Sequence, residues 1–74
     1  MKITYNQVAD TLNIDFTDAP ASDSEVVRPG VFLDFDDAGN IVSMEITEAS
    51  QRVSRPGRIE YQVEPVGREP STGE

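Results

Sequence analysis

Residues 31–46 read V-F-L-D-F-D-D-A-G-N-I-V-S-M-E-I. Val31, Leu33 and Phe35 alternate with Phe32 and Asp34, and Val42, Met44 and Ile46 alternate with Ser43 and Glu45. That period of two sets successive side chains on opposite faces of a strand. Between the runs, Asp36-Asp37-Ala38-Gly39-Asn40 is rich in residues that tolerate tight turns. Pairing Asp36 with Ile41 across an even-numbered loop sets Phe35 against Val42, Leu33 against Met44 and Val31 against Ile46, so each apolar residue meets an apolar partner. A slip of one residue puts Leu33 opposite Ser43 and Val31 opposite Glu45, on the wrong face. The even register is expected.

The same alternation recurs on both sides of this hairpin. Ile3 and Tyr5, followed by Leu12, Ile14 and Phe16, predict a second hairpin in which Tyr5 faces Leu12 and Ile3 faces Ile14, with Gln7-Val8-Ala9-Asp10 as its loop. Residues 17–24 (T-D-A-P-A-S-D-S) read as a loop. Residues 25–28 read as a short strand stopped by Pro29-Gly30. Helical spacing is confined to residues 47–53, where Arg52 suits a C-terminal end and Pro56-Gly57 closes the element. Ile59, Tyr61 and Val63 alternate once more.

The fold class expected is mainly β, at the border with α+β: a five- or six-stranded antiparallel sheet of hairpins with one short helix near residues 47–53. Residues 1–64 are expected to form a single domain, and residues 65–74, which lack apolar periodicity, a disordered tail.

With 74 residues, no Cys and no His, the chain has neither a disulfide nor a Cys/His metal site to supplement a small core, which leaves oligomerisation as the usual supplement. Ile, Val, Leu and Phe total 18 residues, enough for folding. No apolar run approaches the roughly 18 residues of a membrane span, and Met1 runs straight into K-I-T-Y without a signal segment, so a cytoplasmic protein is expected.

Net charge is −8. Residues 1–50 carry ten acids against Lys2 and Arg28, whereas residues 51–74 carry four acids and four arginines. So acidic a surface repels phosphate backbones and attracts basic ones, so direct nucleic-acid binding is not expected, while a basic protein is a sensible partner.

With the strands in place, M-K-I-T-Y-N-Q-V-A-D-T-L-N-I resembles the opening K-I-x-Y-D-x-x-A-D-x-L-Y-I of the domain-of-unknown-function family numbered 2283, a group of small, mostly bacterial proteins. The likeness continues through P-G-V-F-L-D-F-D at residues 29–36, Gly39, Glu45-Ile46 and Ala49-Ser50, and covers roughly residues 1–50. Asn6 stands where the family favours Asp, and Asn13 where an aromatic is usual. The resemblance implies fold and ancestry and no activity. Some members resemble neighbours of small toxin-like proteins, which supplies an antitoxin-type role as context.

The chemical vocabulary is thin. Asp34-x-Asp36-x-x-Gly39, with Glu45 at the twelfth place, partly matches a calcium loop, but Ala38 offers no side-chain oxygen at the fifth place and the flanks read as strands. Asp34, Asp36 and Glu45 share a face in the even register and remain candidates for a divalent cation; a solvated polar face is the plainer account. A His-dependent triad is excluded by composition, a Ser-Lys pair would need Lys2, and no glycine-rich phosphate loop exists. No cofactor is expected.

Phe32 and Ile41 fall opposite the main apolar set and are interface candidates, as are Arg52, Arg55 and Arg58 beside Pro56-Gly57. The function expected is a non-enzymatic protein-interaction module that self-associates, its partner being itself or a basic protein. The alternatives are an antitoxin-like or inhibitory partner of a basic protein and a carboxylate-based cation-binding domain.

Overall fold

The computed structural model describes residues 1–65 of the chain. Five strands, β1 (Lys2–Asn6), β2 (Thr11–Asp15), β3 (Asp23–Arg28), β4 (Val31–Phe35) and β5 (Ile41–Thr47), form one antiparallel sheet in the order β1-β2-β5-β4-β3, followed by a one-turn helix, α1 (Ala49–Arg52). The first hairpin has the expected register, Ile3 with Ile14 and Tyr5 with Leu12. β3 begins at Asp23, earlier than the strand read over residues 25–28.

In the β4–β5 hairpin, Val31 pairs with Ile46 and Leu33 with Met44, as the alternation requires. At the turn the register differs: Phe35 pairs with Ile41 and not with Val42, because the ladder shifts between Asp34 and Phe35. Val42 is the extra residue of a β-bulge. The cause lies in the turn, which Asp36 closes by accepting from the backbone N–H groups of Ala38 (3.0 Å) and Asn40 (2.8 Å) and by donating its own N–H to the Asn40 carbonyl (2.9 Å). That leaves an odd-numbered loop, and the bulge restores the even count further along.

Residues 16–22 carry the chain from β2 past the ends of β5 and β4 to the far edge, held where Phe16 N–H donates to the Val42 carbonyl and Ser22 N–H to the Phe35 carbonyl, each at 2.8 Å. The connection makes β5 the central strand, flanked by the two hairpins' inner strands, and leaves β1 and β3 as the edges.

α1 is shorter than the helix read over residues 47–53. Glu48, at its start, is left-handed (φ +50) and makes no side-chain cap. The turn is held from outside: Ala49 N–H donates to the Asp10 carbonyl, and Arg52 donates to the carbonyls of Thr47 (3.0 Å) and Pro29 (2.6 Å). Gly30 has φ +84, and a Cβ there would come within 2.6 Å of Arg52 Nη2 and 2.7 Å of Thr47 Oγ1. Glycine is required both by the backbone and by this close approach.

After α1 the chain turns through Arg55, whose φ is +51, with Arg58 N–H donating to the Arg55 carbonyl. Residues 58–65 belong to no strand or helix and are exposed. The sixth strand that the alternation of Ile59, Tyr61 and Val63 allowed does not form: among the described residues the sheet has five. The tail expected over residues 65–74 lies, Pro65 apart, outside the described residues. Among the described residues no helix is long and apolar enough to cross a membrane.

Candidate functional site

Pairing partners share a face of a sheet. On one face the rows run Tyr5, Leu12, Ile46, Val31 and Ile3, Ile14, Met44, Leu33, with Phe35 and Ile41 level beyond them. Apolar character therefore extends over β1, β2, β5 and β4, and ends at β3, where Glu25 stands level with Leu33 and Asp23 with Phe35.

Little covers this face. Of its paired residues only Leu12 is buried, at 6 % exposure, as is the bulge residue Val42 beside them; Tyr5, Ile14, Val31, Leu33, Phe35, Met44 and Ile46 are half-buried, and Ile3 and Ile41 are exposed. The other buried apolar residue, Ala49, belongs to the helix. Ala49 alone is fully buried, and among the described residues no larger side chain reaches the near-complete burial usual at the centre of a core.

The opposite face is polar. Ser24, Asp34, Ser43, Asp15 and Lys2 form one row across the five strands, and Val26, Phe32, Glu45, Asn13 and Thr4 the next. Asp34 accepts from Ser43 Oγ at 2.6 Å and from Ser24 Oγ, one hydroxyl to each carboxylate oxygen. These two bonds, Ser24's the larger, hold its carboxyl below the ordinary carboxylate pKa against the opposing effect of burial.

The cation candidates are not brought together. Asp36 is turned into its own loop, where its bonds to Asn40 lower its pKa. Glu45 sits two positions along β5 from Ser43, the residue paired with Asp34. Among the described residues no group of three or more Asp or Glu is placed to hold a metal ion.

The interface candidates separate too. Phe32 is level with Glu45 and Ile41 with Phe35, so they sit at opposite ends of the β4–β5 pairing, and Ile41 registers with the apolar face instead of the polar one. The bulge is the reason. Arg52 spends its guanidinium on the Thr47 and Pro29 carbonyls and ties α1 to the β3–β4 turn. Arg55 and Arg58 flank an exposed turn and, with Ser54 and Glu60, line a shallow polar hollow. Gly57, inside that turn, lies against the ring of Tyr5.

Sequence reading missed one cluster altogether. Tyr5 Oη donates to Asp10 Oδ1 (2.6 Å), Ser50 Oγ to Asp10 Oδ2 (2.7 Å) and Ser50 N–H to Asp10 Oδ1 (3.0 Å). Ser50's hydroxyl, then Tyr5, hold the Asp10 carboxyl below its ordinary pKa, and Asp10's bond, with burial and its charge, raises that of Tyr5. Asp10 adopts φ +53 to present this carboxylate. Ser50 is forty residues away in sequence, so only the motif positions signalled it: Tyr5, Asp10 and Ser50 all belong to the stretches that carry the family likeness.

This cluster pins the helix to the first hairpin. It has the form of a structural lock, with every oxygen of Asp10 engaged inside the protomer.

No curated protein and no solved structure matches the chain. The model of the family described as "Protein of unknown function (DUF2283)" matches residues 2–50, which span all five strands and the start of α1. The chain belongs to the DUF2283 family.

Proposed function

We propose that this protein is a non-enzymatic interaction module that self-associates through the apolar face of its sheet. The observation that carries the reading is how little covers that face. The accessible surface is 5523 Å², whereas a folded chain of 8.1 kDa exposes about 4,500 Å². The excess, on the order of 1,000 Å², is shared by that face and by residues 58–65, which are exposed and outside the sheet; a standard interface takes roughly 800 Å² from each partner.

Charge supports the same direction. Asp23 and Glu25 stop the apolar rows at β3 and keep that edge solvated, which confines association to β1, β2, β5 and β4. Sedimentation over a dilution series tests the reading. A dimer is expected, and Leu33→Lys or the milder Ile41→Lys dissociates it while far-UV circular dichroism keeps the sheet signature. A wild-type chain that stays monomeric and fully folded at every concentration removes it.

A second reading draws on the polar face, where Asp15, Asp34 and Glu45 meet only Lys2 in the way of opposite charge within their two rows. It is a docking surface for a basic protein. Co-purification at low salt that disappears at high salt supports this reading, and its failure at low salt excludes it.

A further inference from the structure

Residues 59–63 carry strand alternation without a strand. Ile59, Tyr61 and Val63 are 52 %, 77 % and 73 % exposed, with Glu60, Gln62 and Glu64 between and after them. The sheet meanwhile has two edges with unpaired backbone groups, β1 and β3.

The edges are not equivalent. β3 carries a bulge between Val26 and Arg28 and shows Asp23 and Glu25 on the apolar face, features that discourage a further strand. β1 pairs with β2 without a register shift and shows Ile3 and Tyr5 on the apolar face, with Lys2 and Thr4 on the other. A strand beside β1 with Ile59, Tyr61 and Val63 on the apolar face continues both apolar rows, and sets Glu60 and Glu64 on the face of Lys2.

We infer that residues 58–64 of one copy add as a sixth strand along β1 of a second copy, reciprocally across a two-fold axis. This rests on the self-association proposed above and names the segment that completes it. The chain leaves its own sheet beside Tyr5, since Gly57 lies against that ring. Two sheets stacked face to face stand ~10 Å apart, and about three extended residues span that gap. An axis that sets β1 over β1 therefore lets residues 57–59 cross to the partner's edge, and the exchange is self-complementary. Each sheet gains main-chain hydrogen bonds along an edge that is otherwise bare, and the excess surface of the segment is buried together with that of the face.

The full-length chain tests this. Tyr61→Pro and Gln62→Pro remove adjacent N–H groups that point to opposite sides of a strand, so one of them faces β1 in any register. Both positions are exposed and lie outside the sheet in the protomer. At least one of the two is expected to weaken the dimer about tenfold. Lys2→Glu is expected to weaken it roughly threefold, with recovery when Glu60→Lys and Glu64→Lys are added. Mixed-isotope NMR should show contacts between Tyr61 of one copy and Ile3 of the other.

A dimer of full affinity in both proline variants, still dissociated by Leu33→Lys, overturns the exchange and leaves the self-association standing. Slow amide exchange at residues 59–63 in a dilute monomer means pairing within the chain, and also overturns it. A monomer at all concentrations removes both.

Discussion

The β4–β5 hairpin and residues 59–63 share one pattern, apolar side chains at every second position, and they end in different states. Val31, Leu33 and Phe35 find Ile46, Met44 and Ile41 across a turn that Asp36 closes with its own carboxylate. Ile59, Tyr61 and Val63 have no such turn before them: the Arg55–Arg58 bend joins them to a helix and not to a strand, and they remain exposed. Alternation states which face a residue prefers once a neighbouring strand exists. It does not supply the neighbour, and loop closure is cheap only when a tight turn brings it close.

The largest test of this contrast is at Leu12, in the middle of the apolar face. Leu12→Ala is expected to lower unfolding free energy by about 3 kcal/mol, measured by denaturant titration.

Next come the turns. Gly30→Ala is expected to cost about 2 kcal/mol, one part from the left-handed backbone and one from the displaced Arg52 bond to Pro29. Gly39→Ala, with φ +86 and nothing within 4 Å of a new Cβ, meets only the backbone part, about 1 kcal/mol. Equal losses would show that Arg52 does not clamp the β3–β4 turn to the helix.

The lock between the first hairpin and α1 has a pH signature. Asp10's pKa is depressed in the folded chain, so its contribution is complete above the ordinary value of 3.8 and is lost as pH falls through the lower folded value. Tyr5's is raised, so its contribution is complete below the ordinary 10.0 and is lost as pH rises through the higher folded value. Stability is expected to be flat between those limits for this pair. Asp10→Asn should flatten the acid limb and Tyr5→Phe the alkaline one, a modest effect because both groups are near solvent. An unchanged acid limb in Asp10→Asn would remove the lock from the account.

The smallest effect belongs to the segment itself. Val63→Ala is expected to change the stability of the dissociated chain by less than about 0.5 kcal/mol. A loss approaching that of Leu12→Ala would place residues 59–63 inside the protomer's own sheet and erase the contrast.

The hairpins were legible because each is local: turn residues and two alternating runs lie within sixteen or so residues, and a one-residue slip exposes every apolar side chain at once. The pairing of Phe35 was misjudged by one position because the odd loop that Asp36 prefers is compensated by a bulge at Val42, and a bulge leaves no mark in periodicity. Neither the open apolar face nor the Asp10 lock was legible: the apolar interface candidates Phe32 and Ile41 were read on the opposite face, and the lock's partners Tyr5 and Ser50 come from opposite ends of the domain. Arg52 read as a helix-end charge, and its reach to Pro29 depends on where the β3–β4 turn sits.

From sequence alone came the strands, the register of the first hairpin, that of the β4–β5 hairpin up to its bulge, and the family. They rest on local chemistry, the two-residue period and the turn formers. Tertiary structure decided that β2 lies against β5, that β1 and β3 are the edges, and that residues 59–63 stay unpaired. Those outcomes depend on which backbone edges remain free after the hairpins assemble, a competition among distant segments that no short window of residues encodes.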